Sequence, residues 1–181
     1  AETADDINLA KQLNIMLKKD ANVASENIVM DIGTAAVGYG YEYAELYDIN
    51  CLGTFSFKGT TKDARFGNPT PRIAECTAGM INAVGLQNPG VEKVIAEELP
   101  KLKKCFHKPV MANVSGFSVE DYAYTCEKLD KEEQVGWLEV NISCPNVKQG
   151  GMAFGVTAKG AEEVVRAVRQ VYDKTLIVKL S

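Results

Sequence analysis

Long apolar runs, histidines and paired cysteines are scarce in this sequence. No stretch approaches the roughly 18 residues of a membrane span, and the acidic start AETADDINLAK is unlike a signal peptide, which is basic and then apolar. The five cysteines lack any CxxC spacing and are odd in number, which indicates neither a disulfide framework nor a zinc site. We therefore expect a cytoplasmic protein with no membrane span and no metal site.

An excess of basic charge is also missing. The 181 residues carry 20 lysines and arginines against 24 aspartates and glutamates, which gives a net charge of -4. Proteins that bind nucleic acid or anionic membranes present basic surfaces, so this balance argues against both partners and favours a small polar ligand. The length suits one domain with a substantial core.

Five short runs rich in β-branched and apolar residues are present, and helical patterns lie between them. Strands that alternate with helices indicate βα units and a parallel sheet that is covered on both faces. The predicted strands are 28–32, 51–57, 109–115, 137–143 and 175–181, and the predicted helices are 91–105, 119–130 and 157–172. Pro100 predicts a kink or break in the first helix, and Ser118 and Thr157 stand at the starts of the next two.

Polar residues occur where the predicted strands end. They are Lys58 after the second strand, Asn113 late in the third, Asn141 and Cys144 at the end of the fourth, and Lys179 late in the fifth. In parallel α/β folds this rim forms the active site, although periodicity alone leaves an open sheet and a closed barrel as alternatives. A plainer interpretation also stays open, in which Asn141 satisfies a loop backbone and Cys144 is a small buried apolar side chain.

The longest connection, residues 58–90, is broken by glycine and proline, which predicts a functional loop. Its polar side chains include no cluster of carboxylates; they are Lys58, Arg65, Asn68, Arg72, Asn82 and Asn88. This set suits an anionic or amide-rich small molecule, and a surface excursion without a ligand is the alternative. A second glycine-rich segment, residues 147–155, predicts a lid, with the same alternative of a surface excursion without a ligand.

Cys144 lacks the histidine that usually activates a nucleophilic cysteine. His107 precedes the third predicted strand, whereas Cys144 follows the fourth, so the two residues lie at opposite ends of a parallel sheet. We interpret His107 as a solvated loop residue. Proton transfer with a bound substrate remains a possible role for the Cys144 thiol.

Five segments of the sequence resemble one family in order and spacing. They are ARFGNPTPRIAE, GMINAVGLQNPG, PVMANVSG, EVNISCPNVKQGG and IVKLS, and they are similar to segments of the dihydroorotate dehydrogenases, most of all those of class 1B. The resemblance implies an α/β fold, a parallel (β/α)8 TIM-barrel type, of which residues 28–181 would form the N-terminal portion, about the first five βα units.

The resemblance also implies an FMN-dependent oxidation of dihydroorotate to orotate in pyrimidine biosynthesis. Cys144 would be the base that removes the C5 proton. Substrate-binding residues would be Lys58, Asn82, Gly85, Leu86, Asn141 and Asn146, and cofactor-binding residues would be Thr34, Ala35, Lys58, Gly59, Asn113, Asn141 and Lys179. The implied partners are a second copy in a homodimer and a separate subunit with FAD and a [2Fe-2S] cluster that passes electrons to NAD.

Two departures from the family pattern keep alternatives open. Residues 1–27 do not match the family's opening hairpin, and Ile7, Leu9, Leu13, Met16 and Leu17 predict an amphipathic helix in a divergent N-terminal segment. The sequence also stops at the fifth strand, so it is expected to be a fragment, to be completed by another chain, or to be a half-barrel without catalysis. Another FMN-dependent pyrimidine oxidoreductase is a further alternative.

Overall fold

The computed structural model describes residues 29–30, 48–77, 79–145 and 150–180. The helix predicted within residues 1–27 lies outside this part of the chain. Of the strand predicted at 28–32, the described part is Val29–Met30, and it is a strand.

Strands and helices alternate along the described chain. The strands are β1 (Val29–Met30), β2 (Thr54–Phe55), β3 (Ile73–Cys76), β4 (Gly79–Asn82), β5 (Val110–Val114), β6 (Val135–Asn141) and β7 (Leu176–Lys179). The helices are α1 (Val91–Lys93), α2 (Leu99–Cys105), α3 (Val119–Asp130), α4 (Met152–Gly155) and α5 (Ala158–Arg169). A π-helical turn at Val94–Glu98 joins α1 to α2, and a 3₁₀ turn at Ile49–Cys51 precedes β2.

The parallel strands lie side by side in chain order. β1 pairs with β2, β5 with β6, and β6 with β7, all in parallel. Single parallel bridges from Ser56 to Met111 and from Thr60 to Val114 join the β2 segment to β5. A doubly wound open sheet reverses its strand order at a switch point, whereas a barrel adds each strand beside the last. The order β1–β2–β5–β6–β7 is that of a barrel wall, and the predicted parallel α/β class is confirmed.

Side chains of β5 and β6 alternate between an apolar face and a polar face, as the two-residue period of a strand requires. The apolar face contributes Val110, Ala112, Val114, Leu138 and Val140 to a buried core shared with α3 and α5. The other face carries Asn113, Glu139 and Asn141, which are buried although they are polar. The helices therefore cover one side of the sheet, and polar groups concentrate on the opposite side.

The predicted helix starts at Ser118 and Thr157 are confirmed. The Ser118 hydroxyl accepts a hydrogen bond from the Asp121 amide at 3.2 Å, and Glu120 and Asp121 place negative charge in the first turn of α3. The Thr157 hydroxyl accepts from the Gly160 amide at 3.0 Å. Both side chains satisfy an amide that a helix start leaves without a partner inside the helix.

Pro100 does not break the first predicted helix, but the helix is irregular just before it. The turn Val94–Glu98 is π-helical, and Pro100 then sits in the first turn of α2. A proline ring clashes with the carbonyl four residues earlier and has no amide to donate. The carbonyl four residues before Pro100 is that of Ala96, which lies inside the wider π-helical turn. The helix therefore continues past the proline.

The long connection 58–90 is not all loop, and this part of the prediction was wrong. It contains an antiparallel hairpin, β3–β4, in which Ile73 pairs with Asn82 and Cys76 with Gly79. Every residue of both strands is exposed. A strand exposed on both faces has no alternation of apolar and polar positions, so the period that identifies strands is missing here.

Two predicted strand boundaries also needed correction. The strand predicted at 51–57 is only Thr54–Phe55, because Ile49–Cys51 forms the 3₁₀ turn that Asp48 caps through the Asn50 amide. The strand predicted at 137–143 is Val135–Asn141. Its end coincides with Asn141, whose side-chain Oδ1 accepts a hydrogen bond from the backbone amide of Ser143, two residues on, and so competes with continuation of the strand.

The cysteines are expected to differ sharply in reactivity. Cys126 is buried in α3, and burial raises the pKa of its thiol to about 12, whereas Cys76 is exposed in the hairpin. Because the thiolate is the reactive form, iodoacetamide at pH 8 should label Cys76 in the native protein and label Cys126 only after unfolding in urea. Peptide mass spectrometry measures both, and equal labelling rates in the native protein would contradict the packing of α3.

Candidate active site

The carboxyl ends of four parallel strands bring the predicted residues to one edge. Asn113 lies near the end of β5, opposite Glu139 of β6, and Asn141 ends β6 opposite Lys179 of β7. Gly59 follows β2 and lies against β5, because a Cβ on it would stand 2.9 Å from Asn113 Oδ1. The strand ends therefore form one polar surface, as the sequence predicts.

Hydrogen bonds link four polar side chains in a row across this edge. Asn113 Nδ2 donates to Glu139 Oε1 at 3.0 Å, and Asn141 Nδ2 donates to Asn113 Oδ1 at 3.3 Å. Asn141 Oδ1 then accepts from the Ser143 amide at 3.1 Å and from the Ser143 hydroxyl at 2.9 Å. We call Glu139, Asn113, Asn141 and Ser143 the amide relay. Each amide side chain in it uses its donor and its acceptor in defined directions.

Glu139 is the charged member of the amide relay and is 7% exposed. Besides Asn113, the Ser56 hydroxyl donates to Glu139 Oε2 at 3.5 Å, and Lys179 Nζ lies 3.9 Å from Glu139 Oε1. A buried carboxylate is costly unless it is paired and hydrogen-bonded, and these three groups supply both conditions.

Asn141 is fixed through its backbone as well as its side chain. The buried Tyr122 hydroxyl donates to the Asn141 carbonyl at 2.9 Å. Burial raises the pKa of Tyr122 to about 12, so its hydroxyl remains a donor at neutral pH. The Tyr122 ring also packs edge-on against Phe154 of α4, with centroids 5.8 Å apart. The end of β6 is thus tied to both α3 and α4.

Cys144 lies three residues after the end of β6 and is half-buried. Its carbonyl accepts a hydrogen bond from the Met152 amide at the start of α4, at 3.1 Å. His107 is exposed and precedes β5, and its amide donates to Asn50 Oδ1 at 2.9 Å. Because β5 and β6 are parallel, His107 and Cys144 lie at opposite ends of the sheet, as predicted.

Gly59 packs so closely against Asn113 that no side chain fits at this position. A Cβ there would lie 3.4 Å from Ser115 Oγ and 3.6 Å from Leu86 Cδ2, besides the contact with Asn113. Ser115 Oγ is buried and has no hydrogen-bond partner among the residues that the structure describes. Buried hydroxyls are nearly always hydrogen-bonded in native proteins, so Ser115 marks a position where a further polar group is expected.

The loop after β4 holds two predicted residues in unusual backbone conformations. Gly85 has φ +77° and Leu86 has φ +59°. The Asn88 side chain secures this loop, since its Nδ2 donates to the Leu86 carbonyl at 2.8 Å and its Oδ1 accepts from the amides of Thr61 and Gly90. A leucine with positive φ is strained, and such strain is found mainly at binding sites.

The predicted site residues fall into three groups. The structure brings Gly59, Leu86, Asn113, Asn141 and Lys179 to one edge. Lys58 adjoins Gly59, Gly85 adjoins Leu86, Cys144 follows Asn141 by three residues, and Asn82 is exposed at the end of β4. Thr34, Ala35 and Asn146 lie outside the described residues.

Sequence reasoning missed three residues of this edge. They are Ser56, Ser115 and Glu139. A signal for Glu139 was present, because it precedes Asn141 by two residues and must share its face of the strand. The hydroxyls carry no comparable signal.

A small pocket is lined mainly by apolar side chains, and it also contains Lys58 and Asn88, two of the polar residues predicted from the connection 58–90. Within residues 29–30, 48–77, 79–145 and 150–180, no group of three or more histidine, cysteine, aspartate or glutamate side chains could hold a metal ion. In the same ranges no helix is long and apolar enough to cross a membrane.

Fold and site together define a parallel α/β barrel segment with a polar site at the carboxyl ends of its strands. The dihydroorotate dehydrogenase family model matches residues 20–181. The chain belongs to this family.

Curated relatives share about half of their residues with this chain where the two align. The catalytic subunit of dihydroorotate dehydrogenase B (NAD(+)) of Anoxybacillus flavithermus is 54% identical over 144 residues, which are 80% of this chain and 46% of the relative. The corresponding subunit of Bacteroides thetaiotaomicron is 54% identical over 144 residues, 80% of this chain and 47% of the relative. The chain therefore spans about half the length of the curated relatives it matches.

Solved structures support the barrel. Ligand-free DHODH of Eimeria tenella matches with a TM-score of 0.62 at 15% identity, covering 96% of this chain and 60% of that chain. The complex of the Eimeria tenella DHODH with ferulenol matches with a TM-score of 0.57 at 16% identity, covering 72% of this chain and 43% of that chain. These likenesses show the fold, and the predicted TIM-barrel type is confirmed.

Tyr122→Phe should destabilise the protein by about 1 to 3 kcal/mol, because it leaves the buried Asn141 carbonyl without its donor. Tyr124→Phe is the matched control, since the Tyr124 hydroxyl donates to exposed Glu92 and the change should fall within about 0.5 kcal/mol. Urea unfolding measures both free energies. Equal values for the two variants would contradict the assigned role of the Tyr122 hydroxyl.

Proposed function

We propose that this chain forms the amino-terminal half of the active site of an FMN-dependent dihydroorotate dehydrogenase, which oxidises dihydroorotate to orotate in pyrimidine biosynthesis. One observation carries the proposal: a half-buried thiol, Cys144, follows directly on the amide relay at the end of β6. That arrangement combines a proton acceptor with oriented hydrogen-bonding groups, which is what abstraction of a proton from a bound ring requires.

The described residues fit a flavin ring. Gly59 lets the chain pass close to Asn113, and the buried Ser115 hydroxyl beside it has no hydrogen-bond partner among the described residues. Lys179 adds a positive charge at the end of β7. FMN, when bound, would supply the acceptor for the hydride from C6 of dihydroorotate. FMN would be held by Lys58, Gly59, Asn113, Asn141 and Lys179, and the proposed further contacts are Thr34 and Ala35.

Cys144 is assigned the role of the base that removes the proton from C5 of the substrate. As the thiolate it takes that proton, and the C5–H electron pair forms the C5–C6 double bond as C6 gives up its hydride. The contacts to the substrate ring and its carboxylate are assigned to Lys58, Asn82, Asn141, Asn146 and the backbone at Gly85 and Leu86. The positive φ angles of Gly85 and Leu86 support the assigned backbone contacts, because they orient the amide and carbonyl groups differently from those of a loop with ordinary negative φ angles.

A second subunit is part of the proposal. The relatives are named as catalytic subunits of an NAD(+) enzyme, and from this we infer a partner that carries FAD and a [2Fe-2S] cluster and passes electrons to NAD. We also propose a homodimer and a cytoplasmic location.

The purified protein should bind FMN, and dihydroorotate should bleach the flavin band. Cys144→Ala should retain FMN and slow this reduction by about a hundredfold or more, because a positioned general base contributes about 10² to 10⁴ in rate. Anaerobic stopped-flow absorbance measures the rate. Cys76→Ala, at an exposed cysteine of the hairpin, is the matched control and should reduce at the parent rate.

Three outcomes would overturn the assignment. A protein that takes up no FMN would favour a half-barrel without catalysis. Reduction by dihydrouracil in preference to dihydroorotate would favour another pyrimidine oxidoreductase. Unchanged reduction in Cys144→Ala would remove the thiol from the mechanism.

Gly59→Ala should weaken FMN binding by about tenfold, because its Cβ would lie 2.9 Å from Asn113 Oδ1 and overpacking costs about 1 to 3 kcal/mol. Gly79→Ala is the control, since a Cβ at Gly79 meets nothing within 4 Å. Fluorescence titration measures both dissociation constants. The same affinity in both variants would contradict a flavin site at Gly59.

A further inference from the structure

We propose that Glu139 is a positioning residue whose carboxylate, at one end of the amide relay, fixes the direction of its hydrogen bonds together with the Ser143 backbone amide at the other end. Through Asn113 and Asn141 it would decide which atoms the site presents to a ligand, although Asn141 does not touch it. The part of this inference that concerns FMN rests on the proposed function, whereas the part that concerns side-chain orientation stands without it.

Glu139 can act on its neighbours in one way only, as a hydrogen-bond acceptor. An ionised carboxylate only accepts hydrogen bonds, whereas an asparagine side chain has a donor end and an acceptor end of nearly equal shape. The Asn113 side chain must therefore turn its Nδ2 toward Glu139, which it does at 3.0 Å. The Ser56 hydroxyl, at 3.5 Å, also donates to Glu139.

The orientation of Asn113 and the Ser143 backbone amide, which can only donate, require the same orientation of Asn141. With Nδ2 used on Glu139, Asn113 presents its Oδ1 to Asn141, and only the amino end of Asn141 can pair with an oxygen. Asn141 Nδ2 donates there at 3.3 Å. Its Oδ1 is left to accept from the Ser143 amide and hydroxyl, at 3.1 and 2.9 Å.

The last link lies next to the proposed base. Ser143 precedes Cys144 in the chain, so the relay runs from a buried carboxylate in mid-strand to the residue before the thiol. Lys179 lies 3.9 Å from Glu139 Oε1, so the same carboxylate also attracts the cation assigned to the flavin. One buried charge thus orders groups on three neighbouring strands, β5, β6 and β7.

Substituting Glu139 with glutamine keeps the shape of the side chain, but it replaces a group that only accepts hydrogen bonds with one that both donates and accepts. A glutamine can offer either its amino group or its oxygen to Asn113, so the relay loses the obligatory acceptor at this end and is held in one direction by the Ser143 amide alone. In the FMN-free protein, NMR of ¹⁵N-asparagine-labelled side chains should show shifts of the Nδ2 signals of both Asn113 and Asn141 in Glu139→Gln. Loss of signals in Asn113→Ala and Asn141→Ala assigns them.

FMN affinity is the second measurement. Glu139→Gln should bind FMN roughly tenfold more weakly, since hydrogen bonds to a charged group are about twice as strong as neutral ones. Glu98→Gln is the matched control, because Glu98 is 6% exposed against 7% for Glu139 and pairs with Lys101 in the helical region before β5. It should leave FMN affinity within about twofold and the two asparagine signals in place.

The outcomes separate the claims. A shift at Asn113 without one at Asn141 in Glu139→Gln would overturn the relay. Parental FMN affinity in Glu139→Gln would overturn its effect on the flavin. A parent protein that binds no FMN would overturn the proposed function, while the NMR comparison would still test the relay. If Glu139→Gln does not fold, Asn113→Ala replaces it, and unchanged Asn141 signals in that variant would overturn the relay.

Discussion

The parallel register of β5, β6 and β7 is the constraint on which the site depends. It places Asn113 opposite Glu139 and Asn141 opposite Lys179, on the face that the helices do not cover. A strand alternates its side chains with a period of two, so a slip of one residue in β6 would send Glu139 and Asn141 into the apolar core and bring Leu138 and Val140 to the site. The apolar face and the polar site therefore enforce the same register.

Packing against α3 and α4 holds the end of β6 once the register is set. Tyr122 bonds the Asn141 carbonyl, and Met152 bonds the Cys144 carbonyl. Gly155 lies so near β6 that a Cβ on it would be 2.2 Å from the Ile142 carbonyl. Helices on the apolar side thus fix the position of groups on the polar side, and the loop that bears the thiol is supported from two directions.

Much of this arrangement was predictable, since it follows from local chemistry. Periodicity identified the β-branched strands, the side chains of Ser118 and Thr157 identified helix starts, and the in-order strands fix which ends meet. The hairpin β3–β4 was not predicted, because strands exposed on both faces lack the alternation of apolar and polar residues that identifies a strand. Glu139 was not predicted as a site residue, because in a sequence a buried acidic residue cannot be distinguished from a surface acidic residue until its partners on neighbouring strands are known. Its spacing of two residues from Asn141 indicates that the two side chains share a face of the strand. Its hydrogen-bond partners come from neighbouring strands, and spacing within one strand does not identify them.

The hairpin β3–β4 has a consequence for motion at the site. Its residues are exposed on both faces, so few buried contacts oppose its separation from the barrel, whereas Leu86, four residues beyond it, is buried and anchored by Asn88. Segments with few buried contacts open at low free energy without unfolding the rest of a domain. Asn82 thus lies on a hairpin whose opening would cost little free energy, while the turn at Gly85 and Leu86 stays anchored to the barrel strands.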